Sequence, residues 1–353
     1  MIRARFRDPF DPQMQTPHLR ELTAATKVLQ KVTCSDDGSQ TVSPNLNNAV
    51  DMSLWDRINS RLTFQSGIGF MYRQLFMHSP PIAAGTTLEG QTAIITGANT
   101  GLGFEAARQL LQLDLSRLIL AVRSQAKGDV AAEALRREFT RAEVEVWILD
   151  MEDPESVAAF ARLCQTLGRL DMVILNAGVQ NKDHVVSPKT GKEQTFQVNY
   201  LSTIMLAVLL LPILRARTGL VGKPARLTVV TSTTAYFADF DQGKPILPQF
   251  DEKYDVTKWY AREKLLQMIF VRRLASLVNS DEVIVNTVCP GLVGETEIWR
   301  TLNANAVMRY MLIVYFALFG RSLAEGASTY VHAVVVAGRE SHGGFLSEWG
   351  VRP

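Results

Sequence analysis

The sequence holds little cysteine or histidine for its 353 residues. The three cysteines, Cys34, Cys164 and Cys289, are far apart and odd in number, which argues against a disulfide framework. The five histidines are equally scattered, and neither residue type shows the spacing of a metal site. These absences predict a reduced intracellular protein without a structural metal.

The chain also lacks a surplus of either charge. Lysine and arginine number 37 against 35 aspartates and glutamates, a formal net charge of +2. Both signs are mixed along the sequence, so electrostatics gives no reason to expect a nucleic-acid partner. The hydrophobic fraction of 47% is ordinary for a globular protein.

No apolar run is long enough to predict a membrane span. The opening residues, MIRARFRDPF, lack the apolar core of a secretory signal. Tyr200–Leu214 and Ala306–Phe319 are very apolar, but each has about fifteen residues where a spanning helix needs about 20. Pro212 and Arg309 interrupt them. We therefore expect a cytoplasmic protein, with peripheral contact to a membrane left open.

Residues 1–84 differ in pattern from the rest of the chain and predict an N-terminal extension to one large domain at 85–353. The stretch Asp36–Asn48 is polar and typical of a loop or disorder. Apolar residues then recur at roughly helical spacing, which predicts an amphipathic helix at about 54–77. Pro80 and Pro81 mark its end. Its apolar face could pack on the main domain or on a membrane, and we favour the domain.

From Leu88 onward, short apolar segments alternate with amphipathic helices. The predicted strands are QTAIITG, RLILAVRS, EVEVWILD, DMVILNAG, ARLTVVTS and EVIVNTVCPG. Apolar strands that alternate with helices indicate a parallel sheet covered on both faces. The predicted fold class is therefore α/β, a doubly wound parallel sheet of the Rossmann type.

A glycine-rich turn, Thr96-Gly97-Ala98-Asn99-Thr100-Gly101-Leu102-Gly103, joins the first strand to the first helix. Glycines at such a turn permit a tight bend, close approach of the backbone to a pyrophosphate, and close packing of helix on strand. In this context the motif predicts a dinucleotide site. The predicted contacts are Gly97, Asn99, Thr100, Gly101, Leu102 and Gly103.

The spacing T-G-x-x-x-G-x-G resembles the short-chain dehydrogenase/reductase family, and the similarity runs on to the C-terminus. The resemblance implies an oxidoreductase that uses a nicotinamide cofactor. Asp150 stands where that family contacts the adenine ring, and Asn176-Ala177-Gly178 matches the N-A-G element beside the cofactor ribose. Pro290-Gly291-Leu292-Val293 resembles the P-G-x-V element that holds the nicotinamide, with contacts from Pro290, Gly291 and Val293.

Arg123 follows the second strand, where an NAD-dependent enzyme typically carries a carboxylate for the ribose 2′-hydroxyl. An arginine at this place accommodates a 2′-phosphate instead. We therefore expect NADP(H) as the cofactor, with Lys127 as a weaker second contact.

The resemblance further implies a tyrosine proton donor with a lysine four residues later. Tyrosine donates a proton near neutral pH only if nearby cations lower its pKa from about 10, and residue i+4 lies on the same helix face. The pattern occurs as Tyr254–Lys258 and as Tyr260–Lys264. The offset between them turns a helix by about 240°, so both pairs cannot face one nicotinamide.

The residues after the second pair match the family register, which selects Tyr260 and Lys264 as catalytic. Glu263 then stands where the family usually has serine or threonine. Tyr254 is left as a candidate for the substrate pocket.

Two further catalytic residues follow from the resemblance. Ser232, after the fifth strand, matches the serine that hydrogen-bonds the substrate carbonyl and stabilises the charge on its oxygen. Asn199 matches the asparagine that bends its helix and holds a water in the proton relay. The family's threonine contact to the cofactor would fall at Glu295, whereas a threonine stands at Thr296, so that contact is left open.

The segment after Pro290 is rich in aromatic and aliphatic residues from Trp299 to Phe319 and suits a bulky apolar ketone or alcohol. The motifs are also similar to fungal biosynthetic reductases and retinol dehydrogenases, which suggests secondary metabolism by analogy only. The alternatives are a non-redox NADP-binding descendant and a nucleotide-sugar epimerase. Family members commonly dimerise through the helices carrying Asn199 and Tyr260, so a homodimer is an open expectation.

Overall fold

The computed structural model describes residues 67–218, 223–241, 243–250, 253–294, 315–316 and 318–352. The predicted loop at 36–48 and the first part of the predicted helix at 54–77 lie outside these residues. The strands are β1 (Thr92–Thr96), β2 (Arg117–Val122), β3 (Glu143–Ile148), β4 (Met172–Leu175), β5 (Ala225–Val230), β6 (Val283–Cys289), β7 (Phe345–Ser347) and β8 (Gly350–Arg352). The helices are α1 (Gly67–Phe76), α2 (Gly101–Gln112), α3 (Gln125–Glu138), α4 (Pro154–Cys164), α5 (Thr203–Thr218), α6 (Val256–Ala275) and α7 (Leu323–Val331).

The strands form one sheet in the order β3-β2-β1-β4-β5-β6-β7-β8. All neighbours pair in parallel except β7 and β8, which are antiparallel. The predicted doubly wound α/β fold is confirmed, and each of the six predicted strands is present. The short strands β7 and β8 were not predicted.

The chain winds outward from β1 to β3 and then returns to place β4 on the other side of β1. Ile95 of β1 pairs with Leu120 of β2 and with Ile174 of β4. Loops leave β1 and β4 in opposite directions at such a reversal, and a crevice opens at the carboxyl ends of the strands. All residues of β1 and β4 are buried, which explains their continuous apolar sequences.

Short polar side chains begin several of the helices around the sheet. Ser124 accepts a hydrogen bond from the backbone N–H of Lys127 at the start of α3. Asp153 caps α4 and precedes a proline at its first position. Asp255 caps α6 by accepting from the backbone N–H groups of two residues. Because Asp255 is the cap, α6 starts after Tyr254.

The helical segment that carries Asn199 is the one long apolar helix of the described residues that could cross a membrane by length and composition. It covers Gln194–Ala216, and 72% of its most apolar window is buried inside the protein. It begins with a short α-helical turn, Gln194–Phe196, which is followed by a π-helical segment, Gln197–Ser202, that continues into α5. The helix is thus packed largely as a core helix. Residues 306–314, most of the other apolar stretch, lie outside the described part of the chain.

Close packing of α3 on the sheet predicts a strong effect of a single methyl group at Gly128. A Cβ there would lie 2.5 Å from Cγ1 of Val146 and 2.7 Å from Cγ2 of Val122, both stiff side chains on strands. We expect Gly128→Ala to lower the free energy of unfolding by about 1–3 kcal/mol. The clash outweighs the gain in helix propensity of about 1 kcal/mol.

Urea denaturation measures the effect, with Gly168→Ala as the matched control. No atom lies within 4 Å of a Cβ at Gly168, so the control should change stability by less than about 0.5 kcal/mol. Equal stability of Gly128→Ala and the control would contradict this packing.

Candidate active site

Two adjoining cavities open at the carboxyl ends of the strands. The first has a volume of about 320 Å³ and lies where the chain reverses between β1 and β4. Its wall contains the predicted cofactor contacts Gly97, Asn99, Thr100, Gly101, Leu102, Gly103, Arg123, Lys127, Asp150, Asn176, Ala177 and Gly178. The structure therefore brings together residues that lie as much as 81 positions apart in the sequence.

Hydrogen bonds between the ends of β1 and β4 form the floor of this first cavity. Thr96 Oγ1 accepts from the backbone N–H groups of Asn176 and Ala177, both at 2.9 Å. Asn176 Nδ2 donates to the carbonyl oxygens of Thr96 at 2.9 Å and Gly97 at 3.2 Å. A Cβ at Gly103 would lie 2.6 Å from that same Nδ2. Glycine at this place therefore serves the helix–strand packing that the motif predicts.

Arg123 and Lys127 lie at the far end of the first cavity, and both are exposed. Asp150 lies beside them, and its carboxylate accepts a hydrogen bond from the backbone N–H of Glu152 at 3.0 Å. Two cations at the mouth of a polar groove form a suitable place for a phosphate group.

The second cavity has a volume of about 290 Å³ and shares Leu102, Asn176, Gly178 and Val179 with the first. Its wall contains all the remaining predicted site residues: Asn199, Ser232, Tyr260, Lys264, Pro290, Gly291 and Val293. The two cavities thus form one continuous groove, with the predicted phosphate contacts at one end and the predicted catalytic residues at the other.

Burial dominates the electrostatics of the tyrosine and lysine that the sequence predicts to be catalytic. It raises the pKa of Tyr260 well above its usual value, while a hydrogen bond with Ser232 lowers that pKa. Burial also lowers the pKa of Lys264 to about 8. Lys264 Nζ donates to the carbonyl oxygen of Val230 at 3.0 Å and lies 5.4 Å from the centre of the Tyr260 ring.

Asn199 is almost fully buried at the π-helical segment, and its side chain is bonded on both sides. Oδ1 accepts from the backbone N–H of Val179 at 2.8 Å, and Nδ2 donates to the carbonyl oxygen of Val179 at 2.8 Å. The same Nδ2 donates to Oε2 of Glu263 at 2.9 Å. The backbone carbonyl of Asn199 accepts from Gln267 Nε2. The asparagine therefore connects the cavity wall to a buried carboxyl group.

Glu263 is that carboxyl group, and it is fully buried. Burial raises its pKa to about 8, the hydrogen bond from Asn199 lowers it, Glu193 raises it, and Lys264 lowers it. The group is thus neutral near pH 7. In the sequence, Glu263 stands where the family usually has serine or threonine. That difference was the one feature of the sequence that pointed to this residue.

The competing pair Tyr254–Lys258 is placed elsewhere. The hydroxyl of Tyr254 donates to the carbonyl oxygen of Asn181 at 2.6 Å, and its ring packs edge-on against Trp259. Lys258 pairs with Asp239 at 3.4 Å. Among the described residues that line the two cavities, neither member of this pair occurs. Tyr254 is therefore not a wall residue of the cavity, contrary to our expectation.

Sequence analysis missed one contribution to the second cavity, which comes from α1. Phe70 lies in the cavity wall, and Gln74 contacts the loop after β6. Neither residue belongs to the apolar pattern on which this helix was predicted, and nothing in the sequence indicated what they contact. Thr296 and Trp299, with most of the predicted apolar lid, lie outside the described residues.

Comparison with known proteins identifies the family. The family model described as short chain dehydrogenase matches residues 91–236. The short chain dehydrogenase virL of Hypocrea virens is 46% identical over 81% of this chain and 84% of its own. The short chain dehydrogenase/reductase mfmJ of Annulohypoxylon moriforme is 46% identical over 80% and 82%. The chain belongs to the short-chain dehydrogenase family.

Solved structures of this oxidoreductase family share the fold at low identity. A short-chain dehydrogenase from Sphingobium yanoikuyae in complex with NADPH superposes with a TM-score of 0.52 at 20% identity, covering 68% of this chain and 83% of that one. Salutaridine reductase from Papaver somniferum gives 0.54 at 21%, covering 73% and 99%. Likeness at this level supports the fold alone. No cluster of three or more metal-ligating side chains occurs among the residues described here.

The buried carboxyl of Glu263 predicts a pH-dependent stability. Its pKa rises from 4.5 to about 8 on folding, so between these values the folded chain holds a proton that the unfolded chain has released. The contribution of Glu263 to the free energy of unfolding must then decrease as pH rises from about 5 to about 8. We expect Glu263→Gln to be more stable than wild type by an amount that grows over this range, on the order of 3 kcal/mol at its upper end.

Thermal unfolding at several pH values measures this difference. Glu133→Gln is the matched control, because Glu133 is exposed and pairs only with Arg137 one helical turn away. A stability difference for Glu263→Gln that stays constant, or grows as pH falls, would contradict the placement of this carboxyl.

Proposed function

We propose that this short-chain dehydrogenase is an NADP(H)-dependent oxidoreductase that interconverts a bulky apolar ketone and its alcohol. The observation that carries the proposal is the continuous groove. It has two cations at one end, and Tyr260, Ser232 and Lys264 in the wall of the other. A dinucleotide laid along it would place its phosphorylated ribose near the cations and its nicotinamide near the tyrosine.

The residues of the first cavity fit a dinucleotide. A Cβ at Gly97 would lie 3.0 Å from Cα of Ala177, and one at Gly178 would lie 3.3 Å from Oδ1 of Asn199, so side chains are excluded where backbone must come close to a ligand. Gly97 and Gly101 both have positive φ, at 66° and 61°, which glycine adopts without strain. We assign Arg123 and Lys127 to the 2′-phosphate and Asp150 to the adenine. Asn176 and the Pro290–Val293 loop would hold the ribose and nicotinamide.

When bound in the groove, NADPH would supply the hydride for the carbonyl carbon. Tyr260 donates its hydroxyl proton to the carbonyl oxygen, and Ser232 donates a hydrogen bond to the same oxygen as charge develops on it. Burial holds the proton on Tyr260, so its transfer depends on positive charge that lowers the pKa of Tyr260 during the reaction. Lys264, held by the carbonyl of Val230, stabilises the tyrosinate left after transfer while it carries its own proton.

After the transfer, Tyr260 must take up a new proton through a relay of neighbouring groups. We assign this relay to Lys264 and Asn199, with Asn199 bonded to the protonated carboxyl of Glu263. The support for this assignment is that hydrogen bond, together with the place of both Lys264 and Asn199 in the wall of the second cavity.

The apolar part of the second cavity wall supports a hydrophobic substrate. Phe70, Val256, Leu292 and Tyr330 contribute to it. We also propose a role in fungal secondary metabolism. The support is the resemblance to fungal biosynthetic reductases and the similarity to the fungal proteins virL and mfmJ, whose descriptions state only their family. Cytoplasmic location and a homodimer stay predictions.

Replacement of the proton donor separates catalysis from cofactor binding. We expect Tyr260→Phe to bind NADPH as wild type does and to lose turnover of bulky ketones by about 100-fold or more, because general acid catalysis typically contributes this much. Turnover is followed by the absorbance of reduced nicotinamide, and binding by its fluorescence.

Tyr254→Phe is the matched control. It removes hydrogen bonds with Asn181 and Thr195, neither of which lines the cavities, and should keep its turnover within about twofold of wild type. Loss of turnover in Tyr254→Phe with full activity in Tyr260→Phe would reverse the assignment. Wild-type binding of NADPH without turnover of any ketone would favour a non-redox use of the fold.

A further inference from the structure

Helix α1 precedes the matched family region and lies against the loop after β6. Phe70, Arg73 and Gln74 fall at spacings of three and four and so share one face of this helix, and Met77 follows directly after its end. Tyr72 and Phe76, on other faces, are 62% and 64% exposed. The face that contains Gln74 is therefore the one that α1 turns toward the domain.

The side-chain amide of Gln74 is bonded to both backbone groups of Leu292. Oε1 accepts from the N–H of Leu292 at 3.1 Å, and Nε2 donates to the carbonyl oxygen of Leu292 at 3.1 Å. Nε2 also donates to the carbonyl oxygen of Phe319 at 3.1 Å. Only 5% of the surface of Gln74 is exposed. Its buried amide hydrogen-bonds backbone groups at two places in the chain, Leu292 and Phe319.

Gly291 shows how closely this contact fits. A Cβ at this glycine would lie 2.5 Å from Gln74 Oε1 and 2.5 Å from Arg321 Nη1. The backbone of the Pro290–Val293 loop is thus in direct contact with two polar side chains, one of which comes from α1.

Arg321 joins the same loop to the end of α1. Its backbone N–H donates to the carbonyl oxygen of Leu292 at 2.8 Å. Its guanidinium donates to the carbonyl oxygens of Arg73 at 3.2 Å and Met77 at 3.4 Å, at the C-terminal end of the helix. A cation at this end also stabilises the helix dipole. The loop and α1 are therefore held together from two sides.

Phe70 extends the contact into the active site. It lies one helical turn before Gln74 and lines the second cavity together with Ser232 and Tyr260. Met71, its neighbour, is 3.7 Å from the hydroxyl of Tyr315, beside the segment we expect to cover the substrate. No described residue of α1 lines the first cavity.

We propose that α1 completes the nicotinamide and substrate half of the active site, with Gln74 as a positioning residue and Phe70 as a specificity-determining residue. Gln74 would hold the Pro290–Val293 loop in the conformation that receives the nicotinamide. Phe70 would form a wall against which a bulky apolar ketone is placed. This inference rests on the proposed function of the groove.

The test compares two ligands in the full chain. On the proposed function NADPH would occupy both cavities, whereas 2′,5′-ADP carries the 2′-phosphate and adenine but no nicotinamide. We expect Gln74→Met to raise the Kd of NADPH about 10-fold, as the loss of one to two hydrogen bonds implies, and to leave the Kd of 2′,5′-ADP within about twofold of wild type. Gln109→Met is the matched control, because Gln109 also bonds a distant carbonyl, that of Ala324, but away from both cavities. The control should change neither Kd.

Phe70→Ala tests the substrate wall and leaves Gln74 in place, so it also serves if Gln74→Met does not fold. We expect it to lower kcat/KM for the bulkiest accepted ketone by about 10-fold relative to the smallest. Phe76→Ala, on the exposed side of the same helix, should keep the wild-type ratio.

Each remaining outcome would overturn the inference in a distinguishable way. Equal loss of NADPH and 2′,5′-ADP in Gln74→Met, with a lower melting temperature, would show a general structural role. Variants that match their controls in an active, NADPH-binding enzyme would remove α1 from the site and leave the proposed function standing. A wild-type chain that binds neither ligand would overturn both.

Discussion

The hydrogen bonds between Thr96 and Asn176 hold the two halves of the site in register. They tie the end of β1 to the end of β4 at the reversal of the sheet, where Asn176 lies in the wall of both cavities. If these strand ends moved apart, the glycine-rich turn and the catalytic helix would no longer face one groove. The same contact explains Gly103, because any side chain there would collide with Asn176.

Around this floor, the site depends on buried polar groups whose protonation is set by their surroundings. Burial keeps the proton on Tyr260 and on Glu263 and weakens the hold of Lys264 on its own. Tyr260 and Glu263 are therefore uncharged near pH 7, and Lys264 carries at most a single positive charge. A bound cofactor would meet two exposed cations, Arg123 and Lys127, in the wall of the first cavity.

The parts of the fold that could be predicted from sequence are those with a local signal. Continuous apolar strands and a glycine-rich turn each act over a few residues, so β1 to β6 and the turn at Thr96–Gly103 followed from them, whereas Asp150 and Asn176 were assigned by the family resemblance. The short strands β7 and β8 gave no such signal. Glu348 and Trp349, between them, have positive φ values that non-glycine side chains rarely adopt. Gln74 and Glu263 owe their positions to partners more than 60 residues away, which no local pattern reveals.

The proposal that the groove binds NADP(H) can be tested without knowing the substrate. The measurement is the preference of the protein for NADPH over NADH. Fluorescence titration of wild type and Arg123→Ala with NADPH and with NADH gives four dissociation constants. We expect wild type to bind NADPH about 10- to 100-fold more tightly than NADH, because one to two charged hydrogen bonds to the 2′-phosphate contribute that much to binding. Most of that preference should be lost in Arg123→Ala. Equal binding of the two cofactors by wild type, or binding of neither, would contradict it.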